Sequence, residues 1–171
     1  MPQLQADDRD PAGRLVSDLW TVNSDGGSRG NPGPGAAGII VRDPSDTIVA
    51  RGGSFLGDVT NNVAEYEGVL WGMRAARALG ARRLRVRADS ELVVKQMRGE
   101  YRVKNEGLKP LFMQAQALVR TFEHVEFVHV RREANAEADA LANEAMDVRG
   151  DVGDAPEAPG CGSGALFGRE D

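Results

Sequence analysis

The chain has 171 residues, 41% of them hydrophobic, with a net charge of −5 and one cysteine, Cys161. That length suits one domain with a proper core, and a single cysteine excludes an internal disulfide and fits a reducing compartment. No stretch is apolar and long enough to cross a bilayer, and the polar, acidic start MPQLQADDRD is no secretory signal, so a cytoplasmic protein is expected.

Residues 1–18 read as a flexible leader. LWTVNSD alternates apolar and polar positions, as a half-buried strand does, and SRGNPGPG is a turn-rich loop. GAAGIIVRD and TIVARGGSFLG give two further strands, and the short connections favour antiparallel pairing. Thr60 or Asn61 then caps a long helix in which Val63, Tyr66, Val69, Leu70, Met73 and Leu79 keep helical spacing up to Gly80. RRLRVRAD is a fourth strand with Leu84 and Val86 on one face, and Ser90 caps a second helix reaching about Gly99. After the connection YRVKNEGLKP come a third helix, LFMQAQALVRTF, a fifth strand, HVEFVHVRRE, and a last helix, NAEADALANEAM. The expected order is βββαβααβα: a five-stranded mixed α/β sheet, three antiparallel strands then two in helical crossovers, flanked by helices. This unit spans 19–147, and 148–171, rich in Gly, Pro and acid, reads as a disordered tail.

Four acidic residues sit in four distinct settings. Asp25 and Asp89 close strands, whereas Glu65 and Asp139 lie in the first turns of helices. Singly, each has a structural explanation as a turn or helix-start residue. Converging carboxylates, however, repel one another unless cations lie between them, and an oxygen-only set suits hard divalent metals rather than zinc. Charge distribution agrees. Residues 1–20 carry −2, 148–171 carry −3, and 21–147 are neutral, so bound divalent cations would turn the core positive. Lys95, Arg98, Arg102, Lys104 and Lys109 make 95–109 locally basic, either a solvated face or a nucleic-acid contact.

The segments DGGSRGNPGPGAAG, TNN before Glu65, ADSE around Asp89 and NAEADALAN around Asp139, in this order over residues 20–147, resemble type 1 ribonuclease H of the compact kind without a basic handle. The resemblance implies the ribonuclease H fold and a metal-dependent endoribonuclease that hydrolyses the RNA strand of RNA–DNA hybrids, leaving 5′-phosphate and 3′-hydroxyl ends. It implies two Mg²⁺, with Mn²⁺ able to substitute, one activating water and the other stabilising the leaving 3′ oxygen. Asp25 would bridge both ions, Asp139 would help hold the water-activating one, and Glu65 and Asp89 would complete the set. Asn61 and Asn62 are suited to feel a 2′-hydroxyl, since an amide both donates and accepts, although helix capping is a common use of asparagine. The resemblance adds Asn31 and backbone near Ser28 along the minor groove, and Thr60 and Asn105 gripping a phosphate of the DNA strand.

Two departures stand out. His129 lies ten residues before Asp139, where many members carry a catalytic histidine, but inside the expected strand; it is read as a strand residue. Arg132 matches the arginine that compact members place there, a cation that could neutralise the phosphate. The partner expected is an RNA–DNA hybrid bound by a monomer, with no membrane. Compact relatives extend to double-stranded RNA, and a catalytically silent binding module on the same fold is the reading from another class.

Overall fold

The computed structural model describes residues 18–159. The leader before Asp18 and the tail from Gly160 onward lie outside the described residues. Strands β1 (Leu19–Ser28), β2 (Gly33–Arg42) and β3 (Ile48–Val59) pair antiparallel in sequence. Strand β4 (Arg83–Ala88) runs parallel to β1, and β5 (His124–His129) parallel to β4. A short β6 (Val152–Gly153) adds antiparallel to β3, giving the order β5-β4-β1-β2-β3-β6. Among the described residues the sheet therefore has six strands, not the five expected.

Helix α1 (Asn61–Ala78) is started by Thr60, whose Oγ1 accepts from the Val63 N–H at 3.2 Å, so Thr60 rather than Asn61 is the cap. Its stop at Gly80, with φ +111°, is where the sequence places it. Ser90 caps α2 (Glu91–Met97), and α3 (Lys109–Val119) carries Pro110 in its first turn, where the missing N–H costs nothing. A 3₁₀ turn (Arg132–Asn135) leads directly into α4 (Ala136–Val148).

Glycines let the helices approach the sheet. A Cβ on Gly26 would lie 2.1 Å from the Ala64 carbonyl oxygen of α1, and one on Gly38 would lie 2.0 Å from that of Ala138 in α4. Gly38 pairs with Asp25, whose neighbour in the strand is Gly26, so α1 and α4 take opposite faces of the sheet. The larger core lies under α1, α2 and α3, centred on Tyr66, Leu70, Trp71 and Ile39; a smaller one joins Ala36 to Ala142, Ala145 and Met146 of α4.

The stretch after Asp147 departs from expectation. Disorder from 148 onward does not hold for 148–159. Ser54 Oγ donates to Asp151 at 2.7 Å, the Arg51 N–H donates to Asp154 at 3.0 Å, and Trp71 Nε1 donates to the Pro156 carbonyl at 2.8 Å. Ala155 packs on the core and Ala158 is buried. A few specific bonds to an otherwise unpaired strand edge outweigh a composition that by itself suggests disorder.

Candidate active site

Strand β1 continues through Gly26 and Gly27 to Ser28, so Asp25 lies within the strand rather than at its end. Gly26 and Gly27 pair with Ala37 and Ala36, and small residues on both strands keep the ladder intact under α1 and α4. Asp89 immediately follows β4, which runs beside β1. Glu65 is one turn into α1, held over β1 by the close approach at Gly26, whose N–H bonds to its carboxylate. Oxygen atoms of Asp25, Glu65 and Asp89 all lie within 4.8 Å of one another. Asp139, in the first turn of α4, comes within hydrogen-bonding reach of Asp25 from the opposite face. All four carboxylates singled out from sequence thus meet.

The electrostatics are those of an uncompensated acidic centre. Asp25 is 6% exposed; burial, then the Asp89 charge, then Asp139 raise its pKa to about 8. Burial, followed by the charges of Asp25 and Asp89, raises that of Glu65 to about 9, against the opposing pull of the Gly26 N–H and Arg132. Asp89 Oδ1 is buried with no hydrogen-bond partner. A buried, unpaired oxygen amid like charges is accounted for when a cation completes the set. The donor set is all oxygen, and it fits a hard divalent ion.

Arg132 lies on the 3₁₀ turn and borders two adjoining clefts of about 400 Å³ and 390 Å³, one with Asp25, Glu65 and Asp139, the other with Glu65, Asp89 and His129. His129 is the last residue of β5, exposed, a strand residue as expected, yet on the rim of the carboxylate centre.

The recognition candidates converge in part. Asn61 Oδ1 accepts from the Ser28 N–H at 2.9 Å and from Ser28 Oγ at 3.1 Å, and Asn31 Oδ1 accepts from the Asn61 N–H at 3.0 Å. Ser28, Asn31 and Asn61 therefore form one cluster beside the capping Thr60. The two amide oxygens are used inside the protein, and the amide N–H groups of Asn31 and Asn61 have no hydrogen-bond partner among the described residues. Asn62 is exposed next to them. Asn105 lies apart in sequence, in the loop before α3, where its Oδ1 accepts from the Gly107 N–H at 2.7 Å.

Sequence reading missed the support beneath these residues. Asn135, 1% exposed, donates through Nδ2 to the Ser24 carbonyl at 2.6 Å and accepts from Asn23 Nδ2 at 3.0 Å. It ties the turn bearing Arg132 and the start of α4 to the strand bearing Asp25. Asn143 donates to the Asp139 carbonyl at 3.1 Å, and Arg29 pairs with Asp147 at 2.8 Å, tying the β1–β2 loop to α4. The only sequence signal was an asparagine four residues before and another four after Asp139.

A family profile described as reverse transcriptase-like matches residues 23–145. The chain is 42% identical over 123 residues to ribonuclease HI of Halobacterium salinarum, covering 72% of this chain and 62% of that protein. The crystal structure of RNase H1 from Halobacterium salinarum superposes with a TM-score of 0.74 at 39% identity, covering 76% of this chain and 98% of that one. The chain belongs to the type 1 ribonuclease H family. LC11-RNase H1, solved in complex with an RNA/DNA hybrid, is similar at a TM-score of 0.72 and 37% identity, over 76% of this chain and 98% of that chain. A bifunctional protein of Mycobacterium tuberculosis is 46% identical over 127 residues, 74% of this chain. The chain spans only 35% of the length of that mycobacterial relative. The four carboxylates that meet in this chain, Asp25, Glu65, Asp89 and Asp139, come from β1, from the end of β4 and from two helices that clamp the sheet from both sides.

Proposed function

We propose that this ribonuclease H domain is an endoribonuclease that hydrolyses the RNA strand of RNA–DNA hybrids, leaving 5′-phosphate and 3′-hydroxyl ends. The convergence of Asp25, Glu65 and Asp89 within 4.8 Å, with an orphaned oxygen on Asp89, carries the reading. Two Mg²⁺ ions, or Mn²⁺ in their place, would supply Lewis-acid stabilisation of the reacting phosphate and an activated water. Asp25, reached by Asp89 and Glu65 on one side and Asp139 on the other, is the carboxylate suited to touch both ions.

The protein's own groups do the rest. Arg132, exposed at the junction of the two clefts, is suited to sit against the reacting phosphate and offset its charge. The unpartnered amide N–H groups of Asn31 and Asn61, with Asn62, are suited to donate to ribose oxygens in the minor groove. Thr60 and Asn105 are assigned to the DNA strand on resemblance alone. Gly27 leaves the backbone open to close approach by the duplex. A monomer working in the cytoplasm is the cellular setting we infer, supported by the lone cysteine; no helix among the described residues is long and apolar enough to cross a membrane.

The test is cleavage of end-labelled hybrid, double-stranded RNA and double-stranded DNA, each with Mg²⁺ and with EDTA. Metal-dependent cutting of the hybrid's RNA strand, with 3′-hydroxyl ends, is expected. Cleavage of double-stranded RNA at an equal rate would broaden the substrate class, and absence of cleavage on all three with Mg²⁺ or Mn²⁺ would leave only a binding module.

A further inference from the structure

One sequence feature is not absorbed by the carboxylate centre. RRLRVRAD places Leu84 and Val86 in the core and Arg83, Arg85 and Arg87 on the other face of β4. That face is the one α4 covers elsewhere. Helix α4 packs over β2 at Gly38 and over β3 at Gly53, where a Cβ would lie 2.2 Å from the Leu141 carbonyl oxygen. Beside α4 the sheet opens into a cavity of about 390 Å³ whose donors are Arg42, Arg85, Arg87 and Thr21, with Asn23 and Asn135 behind them.

The three guanidiniums are unequally engaged. Arg42 pairs with Glu137 at 3.2 Å and Asp46 at 3.8 Å, carboxylates whose side chains are 59% and 89% exposed. Arg85 pairs with Glu126 at 2.5 Å. The side chain of Arg87, half-buried, has no ion-pair or hydrogen-bond partner among the described residues. Exposed ion pairs hold weakly and yield readily to a multiply charged anion. A half-buried arginine with no partner, flanked by two more, presents forked donors of the kind that bind phosphate bidentately.

We propose that this cavity is a phosphate-binding site, with Arg87 as its principal contact and Arg42 and Arg85 as its walls. It is separate from the carboxylate centre. The 3₁₀ turn stands between them, with Arg132 bordering the cleavage clefts and Ala134 and Asn135 bordering the cavity. The phosphate can belong to a free anion or to the backbone of a bound nucleic acid. Neither source depends on the hydrolytic reading.

The experiment uses the full chain in EDTA at low salt, where no bound cation can draw an anion to the carboxylates, and titrates it with pyrophosphate by calorimetry. Saturable binding is expected, at least about tenfold weaker in Arg87→Gln and partly recovered in Arg87→Lys. Arg132→Gln should bind as wild type does. Circular dichroism checks that each variant is folded. No saturable binding by the wild type, equal binding by Arg87→Gln, or a loss confined to Arg132→Gln would each overturn the site. A second titration assigns the source: pyrophosphate displacing a labelled hybrid from the Asp25→Asn protein marks a backbone phosphate, and binding without displacement marks a free anion. Hybrid cleavage is measured separately, so failure here and failure of the proposed activity remain distinguishable.

Discussion

Asp25 is the residue on which the centre turns, because it is the buried carboxylate that meets both the β4 and the α4 contributions. Asp25→Asn removes one charge from a crowded set. We expect loss of metal-dependent cleavage together with a more stable metal-free protein, by about 1–2 kcal/mol or roughly 3–6 °C in Tm. An unchanged cleavage rate in the pure variant would refute its role. Arg132→Ala should lower kcat by about 10²-fold, the scale of a lost electrostatic contact to a reacting group, with much less change in KM. A crippled His129→Ala beside a normal Arg132→Ala would transfer that role to the histidine on the same rim. Asn61→Ala loses a neutral hydrogen bond to substrate and also frees the Ser28 N–H, so hybrid kcat/KM should fall about three- to tenfold. A hybrid with one 2′-deoxy substitution next to the cut decides between recognition and support. If wild type and variant lose activity on it by the same factor, Asn61 only holds Ser28.

At the scale of elements, position comes from packing contacts that polar residues secure. Helix α1 lies on β1 at Gly26 and α4 on β2 at Gly38, and those two contacts bring Glu65 and Asp139 to Asp25 from opposite faces. The segment after α4 has a comparable role at the other edge of the sheet, where β6 pairs with β3 and the Pro156 carbonyl accepts from Trp71. Removing residues 150–171 strips this cover from Trp71. The expected cost is about 1–3 kcal/mol, with Tm falling by roughly 3–9 °C and tryptophan emission shifting to the red. Unchanged emission and Tm would mean that β6 contributes nothing to the fold. A purely compositional view of the segment predicts that null result, so the measurement separates the two.

Over the whole molecule, the acidic centre couples stability to pH and metal. Asp25 and Glu65 ionise near pH 4 when unfolded, but at about 8 and about 9 in the folded protein. Below pH 4 both states carry the protons and the two groups contribute nothing. Between pH 4 and 9 the folded state holds more protons than the unfolded one, so metal-free stability falls as pH rises. Thermal melts in EDTA should therefore show a lower Tm at pH 8.5 than at pH 5.5. Mg²⁺ should raise Tm more at pH 8.5, where both carboxylates must ionise to bind it. A metal-free Tm that climbs across this interval in wild type, with the same slope in Asp25→Asn, would contradict the repulsive centre.

Much of this was legible in the chain because it rests on local chemistry. Hydrophobic alternation located the strands, Thr60 and Ser90 marked helix starts, Gly80 marked a stop, and four acids in distinct settings marked one centre. The sequence alone singled out the four acids that meet at this centre and roughly which element bears each. Only the tertiary structure decided how they are held. Asn135 is an ordinary polar residue until burial makes its bonds to Ser24 and Asn23 obligatory. Asn31 and Asn61 present both amide functions in sequence, but folding commits their oxygens to backbone N–H groups. The 148–159 segment resembles a tail until an unpaired strand edge and a buried indole N–H give it partners. The alternate arginines of β4 become a cavity only because α4 covers β2 and β3 and leaves their face open. In each case the deciding term is a long-range contact that sets burial and hydrogen-bond partners, which no local pattern encodes.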